Sequence, residues 1–137
     1  MIIVDDHLAL LAIVGALPAL GHPGPIVTTY SFQFRLARAV ADSARTGTLS
    51  RRVVNAPAAL ARVLRPPANR LVVLDPRTSL EEAVRVATKQ AANLLLAELV
   101  GAAIRHEAAV RVTPANIGRT WPAVMATSGI NFEAVEA

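Results

Sequence analysis

The sequence predicts an α/β protein, a three-layer α/β/α sandwich around a central, mostly parallel sheet of about four or five strands. Three observations predict it. Two short apolar runs, Ile2-Ile3-Val4 and Leu71-Val72-Val73-Leu74, each end abruptly on an acid, Asp5 and Asp75. Runs bounded in this way read as strands buried on both faces of a parallel sheet. Helical segments alternate with the strands, the order expected when helices cover both faces. The chain has 137 residues, 53% of them hydrophobic, and a mean hydropathy of +0.43, which suffices for one domain with a real core. No repeat, low-complexity tract or linker divides residues 1–137.

The strand Ile2 to Val4 is followed by a helical stretch from His7 to about Ala16, closed by the Gly- and Pro-rich loop Gly21 to Pro25. Ile26-Val27-Thr28-Thr29 then leads into an amphipathic helix from Tyr30 to about Ala44, in which Phe34, Ala37, Ala41, Leu36 and Val40 recur at helical spacing. Ser43 to Val54 is polar and basic, with a turn expected at Gly47; Ala56 to Leu64 forms a short helix that Pro66-Pro67 ends. Leu71 to Leu74 is the second buried strand. Thr78 with Glu81, and Ser79 with Glu82, offer two overlapping capping boxes for a helix to about Thr88. From Gln90 to about Arg105 the pattern is apolar almost all round, so that helix should be buried. Ala109 to Thr113 is a third strand, Pro114 opens another helix with Thr113 as its N-cap, and Ile130 to Val135 is the last strand after Gly129.

Composition excludes several classes. Zero cysteines rule out disulfides and zinc-thiolate sites. The apolar stretch Leu8 to Leu20 is too short to span a bilayer and is interrupted by Gly15 and Pro18. Asp5 and Asp6 stand where a signal peptide carries positive charge, so the expectation is a cytoplasmic protein with no membrane partner. The net charge is +4, and 13 of the 14 basic residues are arginine. Arginine's planar fork suits phosphate, but an Arg- and Ala-rich composition also follows from codon bias, so the charge speaks only to non-specific association. No Gly-rich phosphate loop or Ser-His-Asp pattern is present, and His7, His22 and His106 lack metal-ligand spacing.

Two positions point to chemistry. Asp5 follows the first strand, where ligands bind in open α/β sheets. Glu98 lies within Leu94-Leu95-Leu96-Ala97-Glu98-Leu99-Val100, where a carboxylate must be paired, hydrogen-bonded or metal-bound. Either Arg105, seven residues on along the same helical face, compensates it, or Glu98 is simply exposed at the helix edge, or Glu98 turns to the sheet edge near Asp5 and helps hold Mg²⁺ or Mn²⁺ through oxygen.

The order of these features resembles the PIN domain, the metal-dependent nuclease fold of VapC-type toxins. The resemblance rests on Ile2-Ile3-Val4-Asp5, the late apolar helix carrying Glu98 before Gly101-Ala102, and Val110-Arg111-Val112-Thr113 followed by Asn116. It is clearest at Met1 to Leu11 and Asp75 to Val135. It implies Asp5 and Glu98 as the principal catalytic carboxylates and metal ligands with Asp6 assisting, Thr113 and Asn116 as supporting residues, and Mg²⁺ or Mn²⁺ as cofactor. Arg35, Arg51 and Arg52 would then receive RNA phosphates. A further acid of the family has no counterpart, because Thr28 to Val40 contains no carboxylate. Two functions are therefore expected. The first is a toxin-like ribonuclease acting on RNA phosphodiesters. The second is a catalytically degenerate PIN-like module that forms a homodimer or binds a small antitoxin-like partner.

Overall fold

The computed structural model describes residues 1–46 and 56–137, with side chains described through residue 42 and again from residue 58. The turn expected at Gly47 lies outside the described residues. Strands β1 (Ile2–Val4), β2 (Ile26–Thr28), β3 (Val72–Val73), β4 (Ala109–Val112) and β5 (Phe132–Ala134) form one sheet in the order β3-β2-β1-β4-β5. Every pairing is parallel. The helices are α1 (Asp6–Val14), α2 (Tyr30–Thr46), α3 (Ala56–Leu64), α4 (Leu80–Gln90), α5 (Leu94–His106) and α6 (Trp121–Thr127), with 3₁₀ turns at Pro76–Ser79 and Pro114–Asn116.

β1 is the central strand and is buried on both faces, as its uninterrupted apolar run requires. Successive side chains of a strand point to opposite faces, so the run feeds two cores. Ile3 packs with Phe32, Leu99, Val100 and Met125 on one side. Ile2 and Val4 pack with Leu8, Ile13, Leu36 and Val63 on the other. The result is the expected α/β/α sandwich. No helix among the described residues is long and apolar enough to cross a membrane.

Three local expectations are corrected. The run Leu71 to Leu74 does not form a buried strand: β3 keeps two residues at the sheet edge, and Val72 is 44% exposed. Neither capping box forms, because Asp75 takes over the turn. Its carboxylate accepts from the Arg77 backbone N–H at 2.9 Å, while the Thr78 hydroxyl donates to the Asp75 carbonyl at 2.7 Å and Ser79 makes no side-chain cap. The helix expected from Gln90 begins only at Leu94, since Ala91 adopts a left-handed conformation (φ 51°) and Asn93 caps the new helix, its Oδ1 accepting from Leu96 N–H at 3.0 Å. That helix is buried through its middle, yet Leu94 at its start is 76% exposed.

α4 and α5 pack closely at Gly101, where an added Cβ would stand 2.6 Å from the Ala83 backbone nitrogen and 2.8 Å from its Cα. Backbone cannot step aside as a side-chain tip can. Gly101→Ala is therefore expected to destabilise the protein by about 1–3 kcal/mol in urea unfolding, although alanine is the better helix former. An unchanged or raised midpoint would refute this close approach.

Candidate functional site

The sheet order itself creates a site. From β1 the chain winds outward through β2 to β3, then returns to the opposite side of β1 for β4 and β5. The loops leaving β1 and β4 therefore diverge, opening the crevice in which parallel α/β sheets bind ligands. Asp5 and Thr113 leave those two strands, and Asn116 follows in the 3₁₀ turn. Asp5 is the acid that the sequence pattern marks, and Thr113 and Asn116 are the supporting residues that the resemblance implies.

Asp5 is fully buried. Its Oδ1 accepts from Leu8 N–H at 2.9 Å, capping α1. Its Oδ2 accepts from Thr113 N–H at 2.7 Å, Thr113 Oγ1 at 2.6 Å and Asn116 Nδ2 at 2.8 Å. A carboxylate offers about four acceptor positions, so these donors occupy Asp5 almost completely. Thr113 consequently does not cap the following turn as expected; its hydroxyl is committed to Asp5.

Asp6 does converge on Asp5, because β1 has ended at Val4 and the alternation of a strand no longer applies. The two acids share the Asn116 amide, which reaches Asp6 Oδ1 at 2.8 Å. Arg35 closes the cluster from α2. Its Nε lies 3.5 Å from Asp6 Oδ2, and its Nη2 donates to Asn116 Oδ1 at 3.1 Å. Its guanidinium also sits 5.9 Å from the centre of the Phe32 ring. Thus Arg35, read as a contact for RNA phosphate, is also in reach of the acids, with its side chain 43% exposed. Beside the cluster opens a cleft of about 290 Å³ lined by Asp6, His7, Leu36, Thr113 and Asn116.

Glu98 takes neither of its expected partners. Arg105 pairs with Glu82 at 3.8 Å, and Glu98 shares no hydrogen-bond partner with Asp5. Its carboxylate instead accepts from Ser31, from the backbone N–H at 3.3 Å and from the hydroxyl through a short contact. Glu98 is 7% exposed, and no basic side chain among the described residues forms an ion pair with it. It lines a groove of about 490 Å³ between α2 and α5, together with Tyr30, Phe34, Arg35, Leu94 and Leu95.

The set Asp5, Asp6 and Glu98 therefore does not come together. Among the described residues, no three His, Asp or Glu side chains group closely enough to hold a metal ion. Asp5 and Asp6 are filled by amide, hydroxyl and guanidinium donors, the groups that a divalent cation would have to displace. Asp75 serves its own turn, where hydrogen bonds from the exposed Arg77 hold its carboxyl down to about 2.

Two residues escaped the sequence reading. Ser31 stands near the start of α2, in the stretch that lacks a carboxylate, and no pattern marks it. Arg111, 1% exposed on β4, donates to the carbonyl of Leu20 at 2.8 Å and to Asn131 Oδ1 at 2.9 Å. It ties loops together rather than facing a ligand. Arg62 and Arg70 likewise donate to the Ile13 carbonyl near the end of α1. Much of the arginine excess is thus spent on the protein's own acceptors. Arg51 and Arg52 lie outside the described residues.

No protein-family model matches the chain, and no curated protein matches it in sequence.

Proposed function

We propose that this chain is a PIN-like domain whose metal site has degenerated and which works as a binding module, receiving a basic side chain of a small antitoxin-like protein in the groove over Glu98. One observation carries the reading: a buried carboxylate with no ion-pair partner among the described residues lines an open groove with aromatic and aliphatic walls. Such a charge is costly to keep in the free protein unless something else compensates it. An arginine or lysine entering the groove would meet Glu98 at its tip, while Tyr30 and Phe34 cover its stem and ring faces attract the cation. Leu94, exposed at the rim, accommodates apolar residues flanking that cation.

The ribonuclease reading has its own support. Asp5, Asp6 and Asn116 converge at the divergence of β1 and β4, next to a cleft. For RNA cleavage with Mg²⁺ or Mn²⁺, the Arg35 contact to Asp6 would have to open, and Glu98 would have to leave Ser31. The undersupply of free carboxylate oxygens weighs against it.

The two readings separate in one set of measurements. A short amphipathic peptide carrying one arginine between leucines is expected to bind at least about tenfold tighter than its citrulline counterpart. Millimolar Mn²⁺ is expected to leave the melting temperature unchanged, since only a ligand that binds the native state raises it. Equal binding of the two peptides, together with a metal-dependent rise in melting temperature and metal-dependent cleavage of RNA, would replace the module by the nuclease.

A further inference from the structure

We propose that Arg35 sets the specificity of the Glu98 groove, so that the segment received there carries an aspartate or glutamate about one helical turn from its basic residue; this rests on the reading of that groove as a binding site. The face that α2 turns to the groove is built from two rows. Tyr30 and Phe34, one helical turn apart, make an aromatic row and are 54% and 59% exposed. Ser31 and Arg35, at the same spacing, make a polar row beside it. Ser31 donates to Glu98, which fixes the acid against the first turn of α2. Arg35 stands on the next turn, so the polar row is negative at one end and positive at the other.

Arg35 has donors to spare. A guanidinium presents its N–H groups in a planar fork that can serve several acceptors at once. Nη2 donates to Asn116 Oδ1 at 3.1 Å and Nε lies 3.5 Å from Asp6 Oδ2, while Nη1 makes no hydrogen bond among the described residues. The side chain is 43% exposed, so a carboxylate can approach it while Asn116 keeps its bond. Charge then selects the occupant. A segment bearing only an arginine over Glu98 sets a second guanidinium about one turn from Arg35, where like charges repel. An acid on the segment at that spacing changes repulsion into attraction. Its two charges then oppose the two charges of the groove, while its apolar residues lie along Tyr30, Phe34 and Leu94. Discrimination thus comes from a penalty on the wrong segment as well as a contact with the right one.

Isothermal titration of the full chain with a set of leucine-rich helical peptides tests this. The peptides carry arginine with a glutamate one turn before or after it, arginine with glutamine in the same places, and citrulline with glutamine. In one of the two orders, glutamate is expected to tighten binding about threefold to fivefold over glutamine, the range of an exposed ion pair. The gain should fade in molar salt. It should also vanish in Arg35→Met, and this comparison cancels any effect of the glutamate on the helicity of the free peptide. Arg35→Glu should invert the preference, favouring lysine over glutamate at that place, which a variant that merely misfolds could not do. Glutamate that adds nothing in either order, or a gain that persists in Arg35→Met, overturns the role of Arg35, and a retained preference for arginine over citrulline then leaves the groove itself standing. Equal binding of the arginine and citrulline peptides removes the groove as a binding site and this proposal with it.

Discussion

Asp5→Ala is expected to lower the unfolding free energy by about 3–5 kcal/mol, read from the midpoint of urea denaturation. The deletion removes the cap of α1 and strands the donors now aimed at one carboxylate: the Leu8 and Thr113 amides, the Thr113 hydroxyl and one Asn116 N–H. Each buried donor left without an acceptor costs about 1–3 kcal/mol, reduced where water enters the vacated space. Asp5→Asn should cost less than half as much, because its remaining carbonyl oxygen can still accept two of these bonds. The comparison separates a structural clamp from a metal ligand. If Asp5 were chiefly a ligand, both variants would keep their stability in metal-free buffer, and a loss below about 1 kcal/mol for Asp5→Ala would reverse the interpretation.

Glu98→Gln should do the opposite, leaving stability unchanged or slightly raised while abolishing recognition of the arginine peptide. Glutamine keeps an acceptor for the Ser31 N–H and can donate to the Ser31 hydroxyl, so the contact between α2 and α5 survives. What disappears is a buried charge with no ion-pair partner among the described residues, whose removal the fold should tolerate. Peptide affinity, by contrast, should fall by about 2–4 kcal/mol, roughly 30-fold to nearly a thousand-fold, since truncating one side of a buried charge pair leaves the other unpaired. Isothermal titration with the arginine and citrulline peptides measures this directly. Unfolding of Glu98→Gln at lower urea, with peptide affinity intact, would make Glu98 a packing residue and remove the basis of the proposed module.

The contrast between these two acids locates the limit of the sequence. That Asp5 ends a buried strand was legible from the apolar run before it, while its hydrogen bonds from Thr113 and Asn116 are a product of the tertiary structure. That Glu98 sits buried was legible from the apolar residues around it. Its partner was not. Arg105 has suitable helical spacing but reaches Glu82 on α4, while Ser31 carries no signal that distinguishes it from any other serine near a helix start. Arg35 is exposed, as an arginine on an amphipathic helix should be, but only the way α2 lies on the sheet brings it within reach of Asp6 and Asn116. The capping boxes failed locally, because Asp75 competes for the same turn.

Alternation of apolar runs with helical periods was enough to determine an α/β domain, a buried N-terminal strand and an acid at that strand's end, since those depend on neighbours in the chain and on burial. The tertiary structure alone decided what each carboxylate touches. Asp5 meets Thr113 across 108 positions and Glu98 meets Ser31 across 67. Bonds at that separation are set by strand order and by how each helix lies on the sheet, and a hydrogen bond fails when that placement is off by about an ångström.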